Sequence, residues 1–175
     1  MTSAYEVVPA SIRHVRPMSA QLRAAACITL QGFSMEPRRA LHRAFIASSY
    51  CRTALQDGKP IAMWGVKGTL LGDTAFVWLV LSEGVTRMPV SVVKEARAEL
   101  AKVMETNDEV AITVLPDDEA AVRFAVYLGF HDRENDDGRM SRKELCQAIL
   151  ANPAYRIPVG DHYVVALGYH PETRH

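Results

Sequence analysis

The stretches TAFVWLVL (residues 74–81) and VAITVL (residues 110–115) decide the fold of this chain. The first is a continuous apolar run of strand length, which predicts a central strand with both of its faces covered. Between the two stretches, apolar residues from Val93 to Leu100 recur at helical spacing, and Pro89 suits the first position of that helix. A strand, a helix and a second strand in this order predict neighbouring parallel strands joined by a crossover helix.

The segments before this unit predict a hairpin and two helices. Asp57-Gly58 separates two β-favouring segments, and this dipeptide is a strong signal for a tight hairpin turn. Ser19 is a suitable N-cap for one helix, and Ser34 is a suitable N-cap for a second helix with Pro37 in its first turn. A short strand near the N-terminus completes this half of the expected sheet.

The segments after this unit predict two further helices and a last strand. Asp117 or Asp118 begins the first of these helices, and Gly129 occupies the position at which many helices end in a left-handed residue. The sequence SRKE (141–144) matches a capping box, which predicts a helix near 141–151. A final apolar strand follows that helix.

Strand–helix–strand units around an apolar centre indicate an α/β protein with a mixed sheet between layers of helices. We therefore expect residues 1–175 to form a single three-layer domain with a mixed sheet and flanking helices. The helix near 141–151 would be an insertion before the last strand. Helical spacing predicts that Phe124 and Leu128 are buried against the sheet and that Arg123 is exposed.

The composition excludes several classes of protein. The 20 Lys and Arg residues equal the 20 Asp and Glu residues, and this zero net charge argues against a general binder of nucleic acid or anionic membranes. The longest apolar run, 75–81, is far shorter than the ~18–20 residues that span a bilayer. Cys27, Cys51 and Cys146 form no CxxC pair, so neither a zinc site nor a disulfide framework is indicated. These features predict a reducing, cytoplasmic location.

From residue 57 to residue 130 the chain resembles the GNAT family of acetyl-CoA-dependent N-acetyltransferases. The hairpin DGKPIAM (57–63) precedes a central strand, a long helix, a strand and a further helix. In this family the last helix commonly carries Asn-x-x-Ala, an aliphatic-Tyr pair and Leu-Gly-Phe. Here these positions read DEAA (118–121), FA (124–125) and LGF (128–130). The resemblance implies a GNAT fold, acetyl-CoA as acyl donor, and a small amine or a protein amine as acceptor.

A narrower resemblance, over roughly residues 12–130, is to GNAT-like proteins of bacteriophages and prophages, including the internal virion protein A family of short-tailed phages. The matching segments are Ile12-Arg13, the helix from Met18 to Arg23, PRRAL (37–41), DGKPIAMWGV (57–66), Trp78-Leu79 and VRF (122–124). This resemblance implies a location in the host cytoplasm or the virion. If the protein is not an enzyme, it implies phage virion proteins as partners.

The GNAT resemblance also implies where the cofactor binds, which is the point at which the two parallel strands diverge. Pantetheine would pair with free backbone at the end of the first strand, and pyrophosphate would lie on the start of the following helix. The residues carried over to these positions are Leu81, Ser82, Arg87, Val90, Ser91 and Asp118.

The phosphate loop departs from the family pattern, which is Arg/Gln-x-x-Gly-x-Gly/Ala. The segment GVTRMPVS (84–91) has one glycine, at a different place, and Pro89 lacks the N–H that a phosphate would use. Arg87 is either a replacement charge for the phosphate or a solvated surface residue.

The residues for proton transfer depart as well. Many GNAT enzymes use a Tyr to protonate the leaving thiolate, and Ala125 stands at that position here. Tyr127 lies two residues further on, about 200° around the helix, so it does not replace that Tyr directly. Glu83, at the end of the central strand, and His131, which can titrate near neutrality, are candidate bases. Each of these three residues is also explained as an ordinary solvated or amphipathic side chain.

Two functions remain open at this point. One is an acetyl-CoA-dependent N-acetyltransferase with a degenerate CoA loop and weak or lost activity. The other is a non-catalytic, virion-associated phage protein that uses the fold as an interaction scaffold. No metal site is expected, because the spacing of His162 and His170 is not specific for a metal. We expect weak or undetectable acetyl-CoA binding, and if binding is observed, Arg87→Ala should weaken it.

Overall fold

The computed structural model describes residues 4–22, 36–68, 74–83, 85, 88–131, 140–155, 157–159 and 162–169. The helices among these residues are α1 (Ile12–Ser19), α2 (Pro37–Ile46), α3 (Val90–Met104), α4 (Glu119–Leu128) and α5 (Arg142–Ala151). The strands are β1 (Tyr5–Pro9), β2 (Tyr50–Gln56), β3 (Lys59–Gly68), β4 (Thr74–Leu81), β5 (Glu109–Val114), β6 (Phe130–His131), β7 (Ile157–Val159) and β8 (His162–Tyr169).

The strands form a mixed sheet in the order β1-β2-β3-β4-β5-β8-β6, and β7 pairs with β8 outside that order. β4 lies at the centre, antiparallel to β3 and parallel to β5. The predicted pair of parallel strands is therefore confirmed, and α3 connects them. A mixed sheet with helices on both faces also confirms the predicted fold class.

The β2–β3 hairpin closes through a tight turn at Asp57 and Gly58. Their φ angles are 50° and 78°, so both residues are in the left-handed region that a two-residue turn of this kind requires. The turn is also tied to the N-terminal segment, because the Ala4 N–H donates to Asp57 Oδ1 at 3.0 Å. The predicted hairpin is confirmed.

Two apolar cores lie on opposite faces of the sheet. On one face α3, α4 and α5 pack around a core that includes Leu100, Phe124 and Leu145. On the other face α1 and α2 pack around Met18 and Leu41. The sheet is therefore the middle of three layers, as the sequence predicts.

The buried face of α4 agrees with its sequence pattern. Phe124 and Leu128 are buried and the side chain of Arg123 is exposed, which confirms the predicted phase of this helix. The coverage of β4 is less complete than predicted, because Phe76 is 49% exposed. Both faces of β4 are covered only from Val77 onwards, where α1 and α3 reach over the strand.

The first helix of the structure is one that the sequence signals do not predict. α1 starts after Ser11, whose hydroxyl accepts from the Arg13 N–H at 3.1 Å, and it ends at Ser19. Ser19 is the last residue of α1, so its prediction as an N-cap is wrong, and Leu22 forms a β-bridge rather than part of a helix. The rest of the helix predicted after Ser19 lies outside the described residues. Only Val15 and Met18 of α1 are buried, so its apolar stripe is too short to stand out in the sequence. Ser34 lies outside the described residues, and Glu36 occupies the N-cap of α2.

The remaining helix boundaries follow local signals closely. Asp118, rather than Asp117, caps α4 by accepting from the Ala121 N–H at 3.2 Å. Gly129 ends α4 with a φ of 114°, as predicted. The predicted capping box at Ser141 is confirmed, because its hydroxyl and the Glu144 carboxylate each accept from the other residue's N–H.

Candidate functional site

The ladder between β4 and β5 ends before the strands do. Its residue pairs run from Thr74 with Glu109 to Val77 with Ile112. β4 continues to Leu81, where it is still paired with β3, and β5 continues in its pairing with β8. This separation is the divergence that the sequence predicts, and it leaves a space between the strand ends that we call the β4–β5 gap.

The end of β4 directs peptide groups into the β4–β5 gap. The Ser82 N–H donates to the Ile61 carbonyl oxygen at 2.8 Å, so Ser82 bonds towards β3. Because bonding directions alternate along an antiparallel strand, the N–H and C=O groups of Leu79 and Leu81 point the other way, towards β5. The predicted residues Leu81 and Ser82 thus lie at the end of β4 beside the gap, and Leu79 is the residue directed into it.

Glu83 lies immediately beyond the end of β4, and its side chain is exposed. Its N–H donates to the Gln21 carbonyl oxygen at 2.6 Å, and an isolated bridge joins Leu22 to Ser82. Because the Ser82 N–H points towards β3, the Glu83 N–H points to the opposite edge, so Gln21 and Leu22 lie along the edge of β4 that faces the gap. The Glu83 carboxylate is placed beside the gap without an ion pair to another described residue.

The start of α3 is an uncapped helix N-terminus. Pro89 is the N-cap residue, one position earlier than predicted, and no side chain there bonds to the first turn. The proline lacks one donor, but the N–H groups of Val90, Ser91 and Val92 remain at the positive end of the helix dipole. The predicted residues Val90 and Ser91 are exposed at this end. Arg87 and Gly84 lie outside the described residues.

A cavity of about 570 Å³ opens beside the start of α3, between α3, α4 and α5. Its volume is within the range of about 300–1,000 Å³ that is typical of small-molecule sites. Met88, Phe124 and Leu150 give it an apolar base. Val90 and Tyr127, both predicted site residues, also line it.

The rim of this cavity carries the cations Lys94, Arg97, Arg123, Arg142 and Lys143. No Asp or Glu is among the described lining residues, so we call it the basic cavity. The Arg123 guanidinium is paired with Glu119 on the same helix. The other four cations make no ion pair with a described residue, so their charges are available to an anion.

Tyr127 and Arg142 meet at the wall of the basic cavity. Tyr127 is 42% exposed, and the Cζ atom of Arg142 lies 5.9 Å from its ring centroid, within the range of a cation–π contact. The Nε atom of Arg142 is buried and makes no hydrogen bond with a described residue. The neighbouring Cys146 is buried, and this burial raises the pKa of its thiol, so it is a poor nucleophile.

Three residues are placed away from these features. Ala125, at the family's Tyr position, is completely buried against the sheet. Asp118 is buried with its carboxylate directed to the first turn of α4. His131 is buried on β6, which β5 and β8 separate from β4, a distance of about 14 Å at the usual strand spacing. The structure therefore does not bring His131 and Glu83 together.

Within the described part of the chain, no three His, Cys, Asp or Glu side chains lie together in a way that could hold a metal ion. No helix in the same part of the chain is both long enough and apolar enough to cross a bilayer.

Comparison with solved structures identifies the fold. The ribosomal-protein-S5-alanine acetyltransferase from Vibrio fischeri matches over 100% of both chains, with a TM-score of 0.57 and 8% identity. A GNAT-family acetyltransferase from Streptococcus pneumoniae matches with a TM-score of 0.56 and 12% identity, over 94% of this chain and 98% of the other. The PaiA N-acetyltransferase from Thermoplasma acidophilum, solved with coenzyme A, matches with a TM-score of 0.53 and 15% identity, over 95% and 99% of the two chains.

The chain therefore has the GNAT fold, as the sequence resemblance implies. A further neighbour is AAC(6')-Ib in complex with parmomycin and acetyl-CoA, with a TM-score of 0.55 and 12% identity, over 97% of this chain and 95% of the other. No protein-family model matches the chain, and no curated protein matches it significantly.

Sequence reasoning missed the cations of the basic cavity. Lys94, Arg97 and Arg123 have the polar positions of amphipathic helices, which usually indicate solvated faces. Arg142 belongs to a capping-box helix with no expected role in the site. No single spacing in the sequence connects all of these cations, because they lie on three separate helices that only the fold brings together.

Proposed function

We propose that this protein is an acetyl-CoA-dependent N-acetyltransferase with low turnover. The observation that carries the proposal is the β4–β5 gap, into which the peptide groups of Leu79 point beyond the last β4–β5 residue pair. Pantetheine has amide groups that can pair with such a strand edge as a neighbouring strand would. The neighbours AAC(6')-Ib and PaiA N-acetyltransferase were solved with acetyl-CoA or coenzyme A, which supports the same donor for this chain.

The start of α3 supports phosphate binding even though the glycine-rich loop is absent. The N–H groups of Val90, Ser91 and Val92 are uncapped, and a helix N-terminus favours an anion. Lys94 and Arg97 add positive charge one and two turns further along α3. These groups are the reason to expect that acetyl-CoA binding is retained in spite of Pro89.

Acetyl transfer requires few groups from this chain. The amine nitrogen attacks the carbonyl carbon of the thioester, the C–N bond forms, and the C–S bond breaks with its electron pair on sulfur. Glu83, exposed beside the gap, is the proposed acceptor of the proton that the amine loses. His131 and Tyr127 are less suited, because one is buried on β6 and the other is at the basic cavity.

The low turnover follows from Ala125. A methyl group cannot protonate the thiolate, and the loss of a general acid typically costs ~10²–10⁴ in rate. Positioning of the two reactants still supplies part of the acceleration. The acceptor is therefore proposed to be a small amine or a protein amine that reacts slowly.

The test is acetyl-CoA binding by calorimetry together with release of free CoA thiol in the presence of a panel of amines. We expect binding, slow thiol release, and a lower rate with unchanged affinity for Glu83→Gln. Glu6→Gln, an equal change of charge on the exposed edge strand β1, is the control and should change neither quantity. Absence of both binding and thiol release would contradict the proposal.

A second function is supported by Ala125 at the family's Tyr position and by Pro89 at the N-cap of α3, since the first has no proton donor and the second has no N–H. We propose as the alternative a non-catalytic component of a phage virion, in keeping with the phage resemblance. Mass spectrometry of purified particles from an induced host would detect the chain in the virion in this case. Its absence from particles, with acetyl transfer observed, would exclude the alternative.

A further inference from the structure

The Nε–H of Arg142 is a buried donor without a partner. It lies at the wall of the basic cavity and makes no hydrogen bond with a described residue, although the guanidinium is positioned over Tyr127. Buried donors are nearly always satisfied, because an unsatisfied donor destabilises the fold. An acceptor that enters the cavity would remove this penalty.

The charges around Arg142 indicate which acceptor that is. Lys94 and Arg97 on α3 and Lys143 on α5 line the same cavity, and none of them has an ion pair with a described residue. The one acid in the first turn of α5, Glu144, is turned away, with its carboxylate on the Ser141 N–H at 2.7 Å. The cavity therefore suits a ligand with several negative charges.

The lining adds a second requirement, which is an apolar or aromatic part of the ligand. Met88, Phe124 and Leu150 form the base, and the Tyr127 ring forms part of a wall. Ring systems stack on tyrosine and on the guanidinium plane of arginine. A phosphorylated nucleoside combines several charges with such a ring.

We propose that α5 supplies positive charge for phosphate binding beside the start of α3, and that the basic cavity binds the 3′-phosphorylated nucleotide end of coenzyme A. Arg142 is the central residue of this site, with Arg97 opposite it on α3. The identity of the ligand rests on the proposed function. The role of α5 goes beyond the proposed function, because this helix lies outside the sequence resemblance and acetyl transfer itself does not require it.

The site makes the 3′-phosphate a determinant of affinity. A guanidinium that bonds a phosphate through two N–H groups forms a strong, charge-assisted interaction. Dephospho-CoA lacks this phosphate but keeps the pantetheine that the β4–β5 gap would bind. The protein should therefore prefer coenzyme A to dephospho-CoA, and Arg142 should be the origin of the preference.

The experiment measures the affinities of coenzyme A, dephospho-CoA and adenosine 3′,5′-bisphosphate by calorimetry. For Arg142→Ala we expect an affinity for coenzyme A that is lower by about tenfold or more, as for the loss of a charge-assisted bond. Dephospho-CoA should be affected much less. Arg142→Lys keeps the charge but loses the planar fork, so its affinity should be intermediate. Arg38→Ala, on α2 at the opposite face of the sheet, is the matched control and should not change any affinity.

The outcomes separate this inference from the proposed function. Equal coenzyme A affinity for the wild type and a folded Arg142→Ala would overturn the inference and leave the acetyltransferase proposal intact. Failure of adenosine 3′,5′-bisphosphate to bind would overturn the inference as well. Acetyl transfer could then be tested separately with S-acetyl-pantetheine, an acetyl donor that lacks the nucleotide. If the bisphosphate binds through Arg142 but no amine is acetylated, the site is supported and the acetyltransferase proposal fails.

Discussion

The indole ring of Trp64 meets the ring of Phe124 edge-on, with the two centroids 6.2 Å apart and an angle of 78° between the planes. Trp64 is on β3 and Phe124 is on α4, so this contact fixes the helix against the sheet. Phe124 also forms part of the base of the basic cavity. The same ring therefore belongs to both the core and the candidate site.

Phe124→Ala should lower the free energy of unfolding by about 3–5 kcal/mol, because a large side chain leaves a cavity in a packed core. Urea unfolding of the purified proteins measures this difference. Arg123→Ala on the same helix is the control, and it should cost no more than about 0.5 kcal/mol, since its ion pair with Glu119 is exposed. Similar losses for the two variants would show that the phase of α4 is wrong.

Gly58→Val should destabilise the protein by about 1 kcal/mol or more, because a β-branched residue is strained at a φ of 78°. Thermal melting provides the measurement. Gly68→Val is a matched control at the far end of β3, where an added Cβ meets nothing within 4 Å. A tight turn at Asp57-Gly58 is contradicted if both variants melt at the wild-type temperature.

Gly65→Ala tests the packing of β3 against its neighbours. An added Cβ would lie 2.6 Å from both Cys51 Sγ and Trp78 Nε1, so the two side chains must move. Overpacking of this kind typically costs about 1–3 kcal/mol. Gly68→Ala should be close to neutral in the same chemical denaturation experiment. A neutral Gly65→Ala would mean that Trp78 is free to shift.

The stability of the protein should decrease as the pH falls below neutrality, because of His14. Burial lowers the pKa of His14 from its ordinary value of 6.5, and its Nδ1 accepts from the Ser11 N–H at 3.2 Å. The folded state thus binds fewer protons than the unfolded state, so this contribution is present above pH 6.5 and is lost as the pH falls below it.

Melting temperatures at pH 7.5 and pH 5.5 test this expectation. The decrease in melting temperature between these two pH values should be smaller for His14→Asn than for the wild type. His42→Asn, at an exposed position of α2, should keep the wild-type difference. An unchanged pH dependence in His14→Asn would show that other groups cause it.

The features that could be predicted from the sequence are those that a few adjacent residues determine. Asp118 and Ser141 cap the starts of helices, and Gly129 ends a helix. Each does so through groups within four residues along the chain, so these roles are evident from local spacing. The strand 74–81 is recognisable because an uninterrupted apolar run of strand length is typical of a central strand, although β4 is covered on both faces only from Val77 onwards.

The features that could not be predicted depend on packing. α1 buries only Val15 and Met18, and Ser11 and Ser19 are equally good caps by residue type. The basic cavity depends on where α5 packs against α4, and no pattern within α5 specifies that position. The placement of His131 on a distant strand likewise depends on β8 lying between β5 and β6.

The short ladder between β4 and β5 has a mechanical consequence. Four residue pairs join the half-sheet of β1 to β4 to the half-sheet of β5, β8 and β6. Seven pairs join β3 to β4, so resistance to separation is smaller along the β4–β5 line than along the β3–β4 line. Under an applied force the sheet should part between β4 and β5 before it parts between β3 and β4, and amide hydrogens of Ala75 and Val77 on that edge should exchange with solvent sooner than those of the β3–β4 ladder.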